Sequence, residues 1–133
     1  RAQRKDAMRM VKDMAQSLRN GDVLAVFPEG TTGDGMGLLP FHANLIQSAI
    51  EGEAPIQALA LQFVDAKTNT ISMAARYIDD DTLLDSVWST LNARGLKAVV
   101  NFGELQLAHG RDRRQWAADL QQDVMKLKIA CIT

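Results

Sequence analysis

A glycine-rich loop is the part of this sequence whose residue types are best suited to chemistry. Residues 29–38 contain four glycines and two threonines, and they begin with Glu29, Gly30, Thr31 and Thr32. Freed backbone N–H groups and threonine hydroxyls are hydrogen-bond donors that suit an anion. The loop lacks the Gly-Lys-Ser/Thr of a P-loop and the Ser between glycines of a nucleophile elbow. The sequence therefore predicts an anion-binding loop, and a plain surface turn is the alternative.

The residues before the loop indicate how it is positioned. An apolar run over residues 23–27 ends at Pro28, which predicts a buried strand with the loop at its end. Loops at strand ends carry functional side chains on a rigid scaffold. Because an unpaired carboxylate is costly to desolvate, we expect Glu29 to have a partner.

Other polar residues are weaker candidates. His42 follows Leu-Pro-Phe and lies near Asp34 in sequence, so a His/Asp pair is one interpretation. A capping or surface histidine at the start of a helix is the other. The acidic run 79–81 precedes an amphipathic segment and predicts a helix cap. Since no His/Cys cluster accompanies it, we predict no metal site.

Composition limits the class of protein. The chain has 133 residues, enough for one domain, and 47% of them are hydrophobic, which predicts a packed core. A net charge of −1 gives no electrostatic case for nucleic acid. The single cysteine, Cys131, cannot form an internal disulfide. No apolar run reaches the ~18 residues of a transmembrane helix.

Alternating periodicities predict an α/β fold with a mixed or mostly parallel sheet flanked by helices. Apolar spacing indicates helices around 7–18, 45–50, 83–91 and 110–128, and strands at 23–27, 56–64, 71–77 and 96–102. The run 56–64 is mostly apolar, which indicates a strand buried on both faces. Trp88 and Trp116 fall on apolar helix faces and are predicted to be core residues.

Two segments carry a family resemblance. Residues 27–31 read Phe-Pro-Glu-Gly-Thr, and this block resembles that of the glycerophospholipid acyltransferases, the family that includes 1-acylglycerol-3-phosphate O-acyltransferase. Residues 54–60 resemble the later apolar block of that family, with Leu59 in place of a proline. The form Glu-Gly-Thr-Thr, the following Leu-Pro-Phe and residues 95–114 resemble the bacterial lyso-ornithine-lipid acyltransferase subgroup.

The resemblance implies which residues bind and which are missing. It implies a glycerol-3-phosphate-acyltransferase-like fold in which Glu29, Gly30, Thr31 and Thr32 hold the head group of the acyl acceptor. The catalytic His-x-x-x-x-Asp pair of the family is not in this sequence, since neither His42 nor His109 has an aspartate five residues later. We therefore expect the catalytic pair upstream.

Residues 1–133 are accordingly interpreted as a single domain, the C-terminal portion of an acyltransferase domain whose N-terminal part is missing. Such a chain is expected to be inactive alone and able to self-associate. Arg1 and Arg4 are candidates for a basic substrate-binding block of the family, and a solvated helix face is the alternative.

The implied reaction moves a fatty acyl group from acyl-carrier protein or coenzyme A to the hydroxyl of a lyso-lipid. The acceptor is lysophosphatidic acid or lyso-ornithine lipid, and no metal or redox cofactor is needed. The resemblance places the protein at the cytoplasmic face of the bacterial inner membrane, attached through the missing part. Thr32 stands where the family usually has Arg, which predicts a head group other than a phosphate monoester. The alternative is a non-catalytic anion- or lipid-binding α/β module.

Overall fold

The computed structural model describes residues 2–30, 37–65, 67 and 95–130. These residues form a mixed α/β arrangement of five elements. In chain order they are helix α1 (Ala2–Arg19), helix α2 (Ala43–Glu51), strand β1 (Ile56–Asp65), strand β2 (Leu96–Gln106) and helix α3 (Arg113–Ala130). The predicted strand 71–77, the predicted helix 83–91 with Trp88, and Cys131 lie outside the described residues.

A glycine follows closely after each of the first two helices. After α1, Gly21 has a φ of 91° and donates its N–H to the carbonyl of Leu18 over 3.1 Å. After α2, Gly52 donates to the carbonyl of Ser48 over 2.9 Å. A Cβ on Gly52 would lie 3.0 Å from the Leu18 Cβ, so this glycine also lets α1 and α2 approach each other closely.

No helix among the described residues is long and apolar enough to cross a membrane.

The sheet differs from its prediction in direction. β1 and β2 pair antiparallel, from Ile56 opposite Gln106 to Asp65 opposite Leu96, with an irregularity between Gln57 and Leu59. The mixed or mostly parallel arrangement is therefore not found among the described strands. Alternating helices and strands do not by themselves fix strand direction, because that depends on how each connection returns to the sheet.

Burial of β1 also differs from its prediction. Ala58, Ala60 and Val64 are buried, while Leu59 and Leu61 on the opposite face are 46% and 50% exposed. The prediction that β1 is buried on both faces is wrong for the described structure. An apolar run shows that a strand can tolerate burial on both faces, but the second face stays open unless another layer covers it.

The segment 23–27 is not a strand, which corrects a second expectation. Val23 is 95% exposed and Phe27 is 84% exposed. A strand exists only where a neighbouring strand pairs with its backbone, and among the described residues β1 pairs with β2 alone. The apolar composition of residues 23–27 therefore does not by itself predict a strand, because a strand also needs a neighbouring strand that pairs with its backbone.

The core lies between α3, α2 and the covered face of the sheet. Trp116 is fully buried there, as predicted, and packs with Ile46, Ala49, Ala58, Ala117 and Leu120. The indole Nε1–H donates to Gln106 Oε1 over 3.1 Å, so the polar edge of the ring has a partner. Trp116 therefore ties α3 to the end of β2 through both packing and a hydrogen bond.

The turn before α3 is held by two polar side chains. Arg111 donates to Asp119 over 2.9 Å and to Gln106 over 3.0 Å, and its guanidinium lies 5.3 Å from the Trp116 ring centroid. Asp112 accepts the N–H groups of Gln115 and Arg114, which lower the pKa of its carboxyl. The ionised cap therefore stabilises α3 above the usual pKa of aspartate, and this contribution is lost as pH falls through the lowered value.

The uncovered sheet face predicts self-association of the isolated chain. Its exposed apolar side chains come from both strands: Leu59, Leu61, Val100, Phe102 and Leu105. Surfaces of this kind normally mark contacts with another protein element. Sedimentation at several concentrations should show oligomers, and replacing Leu61 and Phe102 together by Thr should reduce them.

The matched control is Ile129→Thr, which removes an equally exposed apolar side chain from α3 and should leave association unchanged. A monomer at all concentrations that also unfolds cooperatively would contradict this expectation.

Candidate functional site

The two ends of the glycine-rich loop are fastened to each other. Glu29 Oε2 accepts the backbone N–H of Leu39 over 2.7 Å. The backbone N–H of His42 donates to the carbonyl of Pro28 over 2.7 Å. The carboxylate thus has the partner that its position predicts, and the partner is the far end of its own loop. A charge-assisted bond of this length is among the stronger hydrogen bonds in proteins.

A side chain from α3 fastens the same loop to the rest of the fold. Gln121 Nε2 donates to the carbonyl of Leu39 over 3.0 Å and to that of Leu38 over 3.3 Å. Nothing in the sequence pointed to Gln121, which lies 82 residues from Leu39. A contact between residues this distant cannot be read from local spacing or periodicity. Gln121 connects the loop to the helix that also carries Trp116.

Gly30 must be a glycine for two separate reasons. Its φ of 69° lies in the left-handed region that side chains disfavour. A Cβ built on Gly30 would also lie 2.5 Å from His42 Nε2 and 2.6 Å from His42 Cδ2. The imidazole therefore occupies the space beside the loop backbone that any other residue would need.

The side chain of His42 does not serve the helix that follows it. His42 stands at the N-cap position of α2 with φ −67° and ψ 104°, but its side chain makes no capping hydrogen bond. The residue is exposed. Of the two parts of the capping-or-surface interpretation, the structure supports a surface histidine at the start of the helix, whose side chain is not a cap and whose imidazole lies beside Gly30.

The remaining candidates are placed only in part. Arg1, Thr31 and Thr32 lie outside the described residues, as does Asp34, the suggested partner of His42. Arg4 lies in α1. His109 and Gly110 have φ values of 50° and 79°, as in a turn. The structure thus brings together Glu29, Gly30 and His42, of which His42 was only a secondary candidate.

The described residues at this loop offer groups that can bind a polar ligand, and the suggested His42/Asp34 pair stays a prediction because Asp34 lies outside the described residues. The backbone N–H groups of Gly30, Leu39 and His42 are used within the loop. The imidazole of His42 can donate at least one N–H, and the Glu29 carboxylate retains acceptor capacity beyond the bond to Leu39. Within the described part of the chain, no carboxylate is hydrogen-bonded to the His42 imidazole. A polar head group carrying both an anionic and a donor group would match these side chains.

Comparison with known proteins decides the family. The family model described as Acyltransferase matches residues 1–62, which include Glu29, Gly30 and His42. Residues 1–62 of the chain belong to the acyltransferase family. The assignment predicted from residues 27–31 is confirmed, and it extends over α1, the loop, α2 and most of β1.

Individual relatives carry two related names. The chain is 32% identical over 111 residues to a lyso-ornithine lipid O-acyltransferase of Pseudomonas aeruginosa, covering 84% of this chain and 42% of the relative. It is 33% identical over 102 residues to a 1-acyl-sn-glycerol-3-phosphate acyltransferase of Neisseria gonorrhoeae, covering 77% of this chain and 39% of the relative. A lyso-ornithine lipid O-acyltransferase of Rhizobium meliloti is 28% identical to the chain, and the match covers 78% of this chain and 39% of that relative.

The acyltransferase chain therefore spans about two fifths of the length of these relatives. No solved structure shows a significant match to it.

Proposed function

We propose that the protein containing this chain transfers a fatty acyl group from a thioester to the hydroxyl of a lyso-lipid. The observation that carries the proposal is the family match through the loop at Glu29, joined by relatives that are named as lipid acyltransferases. We infer a complete domain of the glycerol-3-phosphate-acyltransferase type, in which β1 and β2 form an antiparallel part of a larger mixed sheet.

In this proposal the acid–base chemistry belongs to residues upstream of the chain. A histidine of the His-x-x-x-x-Asp pair takes the proton of the lyso-lipid hydroxyl while the hydroxyl oxygen attacks the thioester carbonyl carbon. Collapse of the tetrahedral intermediate breaks the carbon–sulfur bond, and the departing thiolate takes the proton back from the imidazolium. A thioester is already activated, so acyl-carrier protein or coenzyme A is a co-substrate and no metal or redox cofactor is required.

The chain contributes the binding of the acceptor head group. We assign the head group to the motif residues Glu29, Gly30, Thr31 and Thr32, with Arg1 and Arg4 as further basic candidates. Binding energy of this kind fixes the hydroxyl relative to the catalytic histidine. The lipid substrates require contact with the membrane, which we assign to the cytoplasmic face of the bacterial inner membrane and to the part upstream of this chain.

Thr32 favours lyso-ornithine lipid over lysophosphatidic acid as the acceptor. An arginine fork pairs with a phosphate bidentately, and threonine cannot replace its charge. Losing such a pair costs roughly 1.5–3 kcal/mol, or about 10- to 150-fold in the use of a phosphate head group. The relatives bear both names at similar identity, so Thr32 carries this step of the proposal.

Acylation assays of the longer protein test the activity and the head group together. Purified protein in mixed micelles should acylate lyso-ornithine lipid at least tenfold faster than lysophosphatidic acid, with acyl-carrier protein and coenzyme A thioesters tried in parallel. Thr32→Arg should narrow that ratio. Residues 1–133 alone should give background rates, because the His-x-x-x-x-Asp pair is not in this sequence.

Four results would contradict parts of this proposal. Strong preference for lysophosphatidic acid would refute the head-group assignment. Turnover by residues 1–133 near that of the longer protein would bring His42 back as a base. Failure to acylate any lyso-lipid would favour the second candidate, a non-catalytic lipid-binding module. The absence of a His-x-x-x-x-Asp pair upstream would favour the same non-catalytic module. That module is a second candidate because residues 1–133 contain no such pair.

A further inference from the structure

We propose that His42 is a specificity-determining residue that contacts an anionic group of the acceptor's head group. The inference rests on the proposed function and extends it to a residue outside the family block at 27–31. The shared ligand chemistry is an oxyanion, supplied by the carboxylate of an ornithine head group or by the phosphate of lysophosphatidic acid.

The first argument is the position of the imidazole. Nε2 and Cδ2 of His42 lie where a Cβ of Gly30 would stand, 2.5 Å and 2.6 Å from that point. A ligand that approaches the backbone of Gly30 therefore meets the edge of this ring. Imidazole offers at least one N–H donor in either protonation state, so it can bind an oxyanion whether or not it is charged.

The second argument is that the fold leaves the imidazole available. The side chain makes no capping bond to α2, and the residue is exposed, so its ring is neither buried in the core nor used to end a helix. Ser, Asp and Asn are the preferred N-cap residues. Stabilisation of α2 therefore does not explain why a histidine stands at this position.

The third argument is that the backbone of His42 is held still. Its N–H donates to the carbonyl of Pro28 over 2.7 Å, and its carbonyl accepts from Leu45 over 3.0 Å. The loop it faces is fastened in turn by the Glu29–Leu39 bond of 2.7 Å. A donor fixed on a rigid frame loses little conformational entropy when it binds, which makes its contribution to affinity larger.

The charges around the loop complete the argument. Oε2 of Glu29 accepts the N–H of Leu39, and the carboxylate can accept further hydrogen bonds. An ornithine head group carries a carboxylate and an ammonium, so the imidazole and the carboxylate can serve its two ends. A phosphate head group would use only the imidazole. His42 and Glu29 thus discriminate between the two acceptors by complementary charge rather than by shape alone.

Steady-state kinetics of the longer protein test the role of His42. His42→Ala should raise the KM for lyso-ornithine lipid about tenfold, with a smaller change in kcat and no change in the KM for the acyl thioester. His42→Lys should recover most of the lost affinity by restoring a donor. Lysophosphatidic acid as a second acceptor shows whether the contact is to carboxylate or phosphate. The control is His109→Asn, which alters an exposed turn histidine and keeps a residue that accepts φ 50°.

The outcomes separate this inference from the proposed function. If the unaltered protein acylates no lyso-lipid, the proposed function fails. If it is active and His42→Ala leaves the acceptor KM unchanged, His42 does not bind the head group. A loss of kcat to background with unchanged KM would make His42 a catalytic base and overturn the inference. If His42→Ala folds poorly, His42→Leu, which keeps a bulky side chain but has no N–H donor, takes its place once its melting temperature is shown to equal that of the unaltered protein.

Discussion

Glu29→Ala is expected to lower turnover of the longer protein on the order of 100-fold, because it releases the loop that positions the acceptor. The Glu29 carboxylate accepts the N–H of Leu39 over 2.7 Å and so closes the loop at its base. Without it, the Leu39 amide loses its partner in a partly buried place, and Gly30 is no longer fixed beside His42. Initial rates at saturating acyl thioester, with lyso-ornithine lipid as the acceptor, measure the effect.

Two further variants show which property of Glu29 matters. Glu29→Gln keeps an oxygen that can accept from Leu39 but removes the negative charge, so near-normal turnover would assign Glu29 to loop closure alone. A loss as large as that of Glu29→Ala would show that the charge itself is needed by the acceptor. His109→Asn, at an exposed turn, should change turnover less than twofold, on the order of kT in barrier height. Small and equal effects of Glu29→Ala and His109→Asn in folded proteins would exclude a site at this loop.

Short-range periodicity predicts helices close to α1, α2 and α3. Gly21, with a φ of 91° just after α1, is a short-range helix end, because a residue without a Cβ adopts the left-handed region at no steric cost. The expectation that Glu29 has a partner also follows from one fact, the cost of leaving a carboxylate unpaired after an apolar run. Trp116 was assigned to the core because its neighbours recur at helical spacing. Each of these inferences needs only the residues within a few positions.

Contacts between distant residues could not be predicted in the same way. Gln121 meets Leu39 across 82 positions, and the imidazole of His42 meets Gly30 because the chain folds back at Pro28. Neither contact leaves a periodicity in the sequence. Sequence reasoning therefore missed Gln121, which fastens the loop to α3, whereas it found Glu29 and Gly30 within the motif and His42 as a weaker candidate.

The two errors in the sheet have one physical cause. Whether β1 is covered on its second face and whether residues 23–27 form a strand both depend on a neighbouring layer or strand, not on the segment's own composition. Apolar residues on both faces of β1 and in 23–27 show what these segments can bury. The exposed side chains of Val23 and Phe27 next to the loop are consistent with a role for further parts of the protein in completing the site.

Trp116→Ala is expected to lower the free energy of unfolding by about 3–5 kcal/mol, the usual cost of deleting a buried aromatic side chain. The ring is fully buried between α3 and the sheet, and its N–H bond to Gln106 is lost with it. Such a loss is a large share of the roughly 5–15 kcal/mol that holds a typical domain together. Urea unfolding followed by circular dichroism of the longer protein would measure it.

Milder variants of the same helix separate packing from the hydrogen bond and from the candidate site. Trp116→Phe keeps an aromatic ring and loses the N–H, so it should cost less than Trp116→Ala, while Met125→Ala, at an exposed position of α3, should stay within about 0.5 kcal/mol. A loss below about 1 kcal/mol for Trp116→Ala would mean that α3 does not carry the core.

Because Gln121 lies on the same helix, loosening α3 should also free the end of the loop at Leu39. Acylation by Trp116→Ala should therefore fall at temperatures where the protein is still folded, and turnover that persists there unchanged would show that the loop does not depend on α3.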